Sequence, residues 1–273
     1  MSQSTAVFEC VAASRRVADA QSVAELEKEW VTVRDRFQAA WVNAGHKLIV
    51  LVHDEKGEVA DADVTQVLET VNTLDKKIPI DVILHTHGGL VGPTMQIAEV
   101  LAKRRKTRTY VPFFAHSGGT LIALSTEKIF MGKGAALGPI DVQFAGRPAH
   151  DIIRIVEELG NDASAEWRSL AKNAKRVLKD WSSDVCKLIN KSHKGWFGRR
   201  GCALAVTLTS GEMYHGRSIN FSEAKKLHIN VSDDFAKSVF ALLNVRLEQL
   251  RRLRELEAQI NLVEKHADAP GKP

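Results

Sequence analysis

The chain lacks any window approaching the roughly 18 uninterrupted apolar residues of a membrane helix, so no integral membrane segment is expected. Its opening, MSQSTAVFECVAASRRVADA, has no basic start followed by an apolar stretch long enough for a secretion signal. A soluble protein is the expectation. Cysteine is scarce: Cys10, Cys186 and Cys202 are odd in number and match no zinc or redox spacing. Free buried thiols in a reducing, cytoplasmic compartment are therefore expected. The sequence has no GxxxxGK loop and no dinucleotide fingerprint, which argues for no nucleotide cofactor. An excess of one charge is missing too. The 38 basic and 33 acidic residues leave +5, with the signs interleaved, which gives no nucleic-acid partner. The densest basic cluster, Lys103, Arg104, Arg105, Lys106 and Arg108, follows a helical segment and reads as a complement to that helix's C-terminal dipole.

What is present is enough apolar sequence for one sizeable core. Residues 47–52 (KLIVLV) read as a buried strand, 61–73 as an amphipathic helix, and 80–84 as a second strand. After Pro93 a helix is expected over 95–105, then strands over 107–113 and 128–131, with a short buried helix over 118–125 between them. This β-α alternation predicts an α/β fold with a parallel sheet and crossover helices. A long helix is expected over 163–192, a short one from Asn220 or Ser222 to Leu227, and an exit at Val231. Apolar stripes at three- and four-residue steps mark both ends: Leu26, Trp30, Val33, Phe37 and Trp41, and then Val239 through Ile260. The expected organisation is a helical extension over 1–45, a catalytic domain over 46–232, and an amphipathic helix with a frayed tail over 233–273. The amino-terminal stripe is expected to pack on the core or on another subunit, the carboxyl-terminal one to serve subunit contact or docking, and a homo-oligomer is expected.

The chemistry concentrates between residues 82 and 139. There the chain reads ILHTHGGLVG, FFAHSGGTLIAL and ALGPID, setting two glycine pairs beside one serine. A serine hydroxyl becomes a nucleophile only with a proton acceptor and with donors for the oxyanion that forms. Ser117 lies at a strand-to-helix junction, and the amides of Gly118 and Gly89 are the natural donors. Parallel sheets place such chemistry beyond the carboxyl ends of their strands. Residues 115–119 read Ala-His-Ser-Gly-Gly, which is not the G-x-S-x-G elbow of α/β-hydrolases, and a tight turn also fits a glycine pair.

The blocks ILHTHGGLV (83–91), HSGGTLIALSTEKI (116–129) and LGPIDVQ (137–143) resemble the serine dehydrogenase proteinase family. This is a branch of the Clp-fold serine peptidases, related to signal peptide peptidase A and the proteolytic subunit of the Clp protease. The segment LTSGEMYHGRSINFSEAKKLHI (208–229) extends the resemblance. It implies a ClpP/crotonase-like spiral, Ser117 as nucleophile acting on a peptide or protein substrate through an acyl-enzyme, and an oxyanion hole from Gly89 and Gly118. One departure is His87, where the family usually has proline. Many relatives carry an amino-terminal membrane anchor, and none is expected here.

The base stays open at this level. Relatives in the signal-peptide-peptidase branch use a lysine from a downstream helix, which implies Lys175 or Lys172. Lys175 is preferred because Ala171, Ala174, Val177 and Leu178 would flank it apolarly, and a lysine base needs a desolvated site. His215 is the alternative, while His116 adjoins the serine and reads as a packing or substrate-side residue. His85 and His87 form H-x-H with no third ligand at a convincing spacing, so no metal is expected. Asp141 matches a family position as a loop-orienting or substrate-binding residue. Two other functions fit the same blocks: a crotonase-like acyl-coenzyme A enzyme and a catalytically silent assembly scaffold.

Overall fold

The computed structural model describes residue 10 and residues 13–192 and 200–267. After a helical segment at 13–19 come helix α1 (Val23–Asn43), strand β1 (Lys47–Val52), helix α2 (Asp61–Thr73), strand β2 (Ile80–His85), helix α3 (Val91–Ala102) and strand β3 (Thr107–Val111). Next are β4 (Phe114–Ala115), α4 (Gly118–Leu124), β5 (Lys128–Met131), β6 (Ala136–Leu137), and the β7–β8 hairpin (Gln143–Phe144 and Arg147–Pro148). The chain continues with α5 (Ala149–Leu159), α6 (Ala165–Ser192), α7 (Arg200–Thr209), β9 (Ile219–Asn220), α8 (Phe221–Lys226), β10 (Val231–Ser232) and α9 (Lys237–Ala267). The frayed tail expected at the carboxyl end falls largely outside the described residues.

The main sheet has the order β1-β2-β3-β5-β10, with every pair parallel. Its strands are apolar on both faces because both faces are covered. Ile49, Leu51, Ile80, Val82 and Leu84 face α2, α3, α4 and the later helices. Leu48, Val52, Ile83, Tyr110 and Phe130 face α1 and α9. The expected third strand stops at Val111, because Pro112 has no N–H to continue the ladder. The chain then switches to a second, three-stranded sheet of order β4-β6-β9.

Three expectations are corrected. The first part of the carboxyl-terminal stripe serves the core rather than a subunit contact, and the amino-terminal stripe takes the core of its two expected settings: Leu26, Trp30, Val33 and Phe37 are buried with Val239, Leu242, Leu243 and Val245 in one cluster against the sheet. The stripes meet each other and the strands' second face, which sequence periodicity does not specify. The cysteine expectation also changes, since Cys186 and Cys202 form a disulfide with Cα atoms 4.5 Å apart. The α6–α7 pairing brings them together from 16 residues apart in sequence. Finally, Arg104 is buried and donates to the carbonyls of Leu74, Asp75 and Ile78 at 3.2, 2.8 and 3.2 Å. It closes the α2–β2 loop rather than serving only a helix dipole.

Helix α1 is tied to the sheet by one buried carboxylate. Asp81 is fully buried and accepts from Trp41 Nε1, Arg108 Nε and Arg108 Nη2, each at 2.6 Å. Asp81→Ala leaves a half-buried guanidinium and an indole N–H without their acceptor. We expect it to lower stability by about 3 kcal/mol, read as a reduced urea midpoint with an unchanged m-value.

Candidate active site

Ser117 stands between β4 and α4 with φ 49° and ψ −118°, a conformation that non-glycine residues rarely adopt. The glycines around it explain how the chain holds that turn. A Cβ on Gly88 would lie 2.9 Å from Ser117 Cβ and 3.2 Å from the Gly118 nitrogen, and Gly88 itself has φ +123°. A Cβ on Gly118 would fall 2.6 Å from Thr94 Oγ1, and one on Gly119 2.6 Å from Thr86 Cγ2. Each of these positions admits hydrogen only.

Gly89 is braced from the other side. Val59 N donates to Gly88 O at 2.8 Å, and Leu90 N donates to Val59 O at 3.0 Å, so a Cβ on Gly89 would meet Val59 backbone at 2.3 Å. In a parallel bridge of this kind the central residue's own N–H and C=O face the opposite edge. The Gly89 amide therefore points away from Val59, and it has no acceptor among the described residues. Gly118 is the first residue of α4, so its amide has no intrahelical acceptor. Thr86 fixes the intervening loop, donating to Gly88 O at 3.0 Å and accepting from Gly88 N at 3.1 Å.

The small sheet gathers the remaining chemistry. Ala115 pairs with Leu137 in parallel, and Leu137 pairs with Ile219 in antiparallel register. Ser117 lies two residues beyond this row on β4. Asp141 follows β6 and His215 precedes β9, so all three residues leave the sheet at the same end. His215 Nδ1 lies 2.6 Å from Asp141 Oδ1, and Gln143 Nε2 donates to Asp141 Oδ2 at 3.1 Å. Asp141 is buried while the His215 ring is half exposed. With an ionised carboxylate at Nδ1, that nitrogen carries the proton and Nε2 is left as the acceptor. The Asp141 segment is itself clamped, because Trp181 Nε1 donates to Ile140 O and Ile140 N donates to Leu208 O, both at 2.8 Å.

The lysines are placed differently. Ala171 and Ala174 face the core, while Lys172 and Lys175 are exposed. Lys175 is 58% exposed, and its Nζ donates to Glu157 Oε1 at 2.9 Å. Such a lysine is not in the desolvated site that a lysine base requires. Ala171 and Ala174 turn into the core, while Lys175 stands at the edge of that face of α6 and extends to solvent, so the alanines do not desolvate it.

His85 and His87 both lie against the Phe114 ring, at 4.1 and 4.4 Å, with His85 buried and His87 exposed. No group of three ligating side chains is placed for a metal among the described residues. His116 is half-buried, with its ring against the Gly138 backbone and stacked on Phe114 at 5.1 Å. Burial, followed by the charges of His87 and His215, lowers its pKa. The Asp141–His215 contact was missed because 74 residues separate the partners. Its signal was present in two separate segments, GPID and YHGRSI.

The model of the ClpP-like SDH-type serine proteinase family matches residues 58–263. Two uncharacterized proteins of Methanocaldococcus jannaschii are similar to the chain. One is 36% identical over 198 residues, covering 71% of this chain and 68% of that protein. The other is 32% identical over 184 residues, covering 67% and 62%. The chain thus spans roughly two thirds of the curated relatives it matches. Among solved structures, a variant of the 1510-N membrane-bound stomatin-specific protease in complex with a substrate peptide aligns at TM-score 0.45 and 19% identity, covering 70% of this chain and 77% of that one. ClpP1 from Listeria monocytogenes aligns at 0.44 and 17%, covering 68% and 91%.

Burial, then the neighbouring His87, His53 and His116, lowers the His85 pKa from 6.5 to about 4. The unfolded chain takes up this proton below its ordinary pKa and the folded chain only near the depressed one. Stability is therefore full above pH 6.5 and falls as pH drops towards 4, by up to about 3 kcal/mol. Denaturant melts across that range are expected to show the decline, and His85→Phe should reduce its slope.

Proposed function

Since the chain belongs to the ClpP-like SDH-type serine proteinase family, we propose that it is a serine peptidase in which Ser117 is the nucleophile, His215 the base and Asp141 the residue that orients the base. Ser117 Oγ attacks the carbonyl carbon of a peptide bond while its proton passes to His215 Nε2. Negative charge then develops on the carbonyl oxygen, and the unpaired amides of Gly89 and Gly118 receive it. Collapse of the tetrahedral intermediate breaks the C–N bond, and His215 returns its proton to the leaving amine. Water, deprotonated by the same histidine, then releases the acyl group from Ser117.

The observation that carries this reading is the 2.6 Å Asp141–His215 pair, which leaves the small sheet at the same end as the strained Ser117 turn. The base is thus His215 rather than a lysine, because Lys175 is solvated and paired with Glu157. The carboxylate fixes the imidazole tautomer and stabilises the imidazolium that forms during attack. The reading includes a soluble, self-associating, cytoplasmic protein. Its support is that no helix among the described residues is long and apolar enough to cross a membrane, together with the family likeness.

A fluorophosphonate probe is expected to label the wild type at Ser117 and to leave Ser117→Ala unlabelled. On a fluorogenic peptide, His215→Ala should lower kcat at least about a thousandfold. Lys175→Ala should leave kcat essentially unchanged. Equal labelling of Ser117→Ala overturns the nucleophile, and a collapse of kcat in Lys175→Ala returns the base to lysine. Light scattering at micromolar concentration is expected to give a multiple of the 30.2 kDa chain mass, and a monomer contradicts self-association.

A further inference from the structure

The β4–β6 ladder changes character just before the nucleophile. Ala136 N donates to Phe113 O at 2.9 Å, and Ala115 is paired with Leu137. Continuing the parallel pattern would send Gly138 N to Ala115 O. Instead, Gly138 N donates to Thr120 Oγ1 at 2.9 Å, and Thr120 Oγ1 donates to Ala115 O at 2.7 Å. A side-chain hydroxyl from α4 is interposed in the ladder, and two hydrogen bonds in series replace one. The end of the ladder is thus bridged by a side chain rather than by backbone alone, in a place where Thr120 is fully buried.

The position of this insertion matters for the site. Ser117 is two residues beyond Ala115, and Asp141 is three beyond Gly138. Thr120 itself belongs to the first turn of α4, which starts at the nucleophile. We propose that Thr120 is a positioning residue: its hydroxyl sets the gap between the strand delivering Ser117 and the strand delivering Asp141. The carboxylate then reaches His215 while the imidazole faces the serine. This role rests on reading Ser117, His215 and Asp141 as the reacting set. Serine at position 120 offers the same donor and acceptor, alanine offers neither, and valine keeps the shape while leaving Ala115 O and Gly138 N buried and unpaired.

The test compares the full-length wild type with Thr120→Ser, Thr120→Val and Thr120→Ala. It measures peptide hydrolysis, fluorophosphonate labelling and the 15N shifts of the His215 ring. Alanine and valine are expected to lower kcat by about ten- to a hundredfold with little change in KM, as a small misplacement of reacting groups does. They should also deplete the Nδ1-protonated tautomer of His215. Serine is expected to restore both. If valine does not fold, alanine and serine decide the matter. Wild-type kcat and tautomer in Thr120→Ala overturn the proposal, as does a Thr120→Ser variant impaired as severely as Thr120→Ala. If the wild type takes no phosphonate at Ser117, the nucleophile assignment fails. The tautomer comparison still reports whether Thr120 places Asp141 on His215.

Discussion

A strained backbone at one residue organises this molecule's site. Ser117 adopts φ 49°, which costs a β-carbon-bearing residue about 1–3 kcal/mol and persists only where its surroundings leave no alternative. The surroundings here are backbone packed on backbone. Gly88 passes within side-chain exclusion distance of the serine, Gly119 rests on Thr86, and Gly118 rests on Thr94. Val59 then pins Gly88 and Leu90 from the far edge. With these contacts in place the turn cannot relax without displacing two strands and a helix. On the proposed reading, this bracing holds the serine and the amides of Gly89 and Gly118 in place before any substrate arrives, which is the condition for electrostatic stabilisation of an oxyanion without reorganisation.

Electrostatics then separates the possible bases. A lysine accepts a proton near neutrality only if burial removes the solvation of its ammonium, and the α6 lysines keep that solvation. A histidine needs no such perturbation, only a partner that fixes its tautomer, and Asp141 supplies one. The buried His85 and the half-buried His116 are biased towards their neutral forms by burial and by neighbouring histidines. The carboxylate of Asp141 is the group against His215 Nδ1.

Much of this was legible in the sequence where the signal was local. The strand at 47–52, the helix at 61–73 and the strand at 128–131 were read with the bounds the structure shows, because each carries a continuous apolar run or a clean helical period. The glycine pairs and Ser117 were visible for the same reason. Features that depend on long-range register were not. The pairing of β4, β6 and β9 rests on strands of two residues each, too short for any period, and it alone brings residues 117, 141 and 215 to one end of a sheet. Lys175 shows the limit of flanking composition: its alanine neighbours are apolar and buried, but the lysine sits at the rim of their face and reaches solvent. The terminal stripes were recognised as apolar, with the core, another subunit or a docking partner left open between them, because periodicity shows that a face is covered without showing by what.

The central claim is that the Ser117 hydroxyl, the Gly89 and Gly118 amides and His215 converge on one reacting carbonyl. A crystal structure of the phosphonylated protein tests it most directly. The account predicts a covalent bond at Ser117 Oγ, the phosphoryl oxygen within about 3 Å of both amides, and His215 Nε2 within about 3 Å of the serine oxygen. A phosphoryl oxygen turned away from either amide, or a different side chain at the serine oxygen, would contradict it.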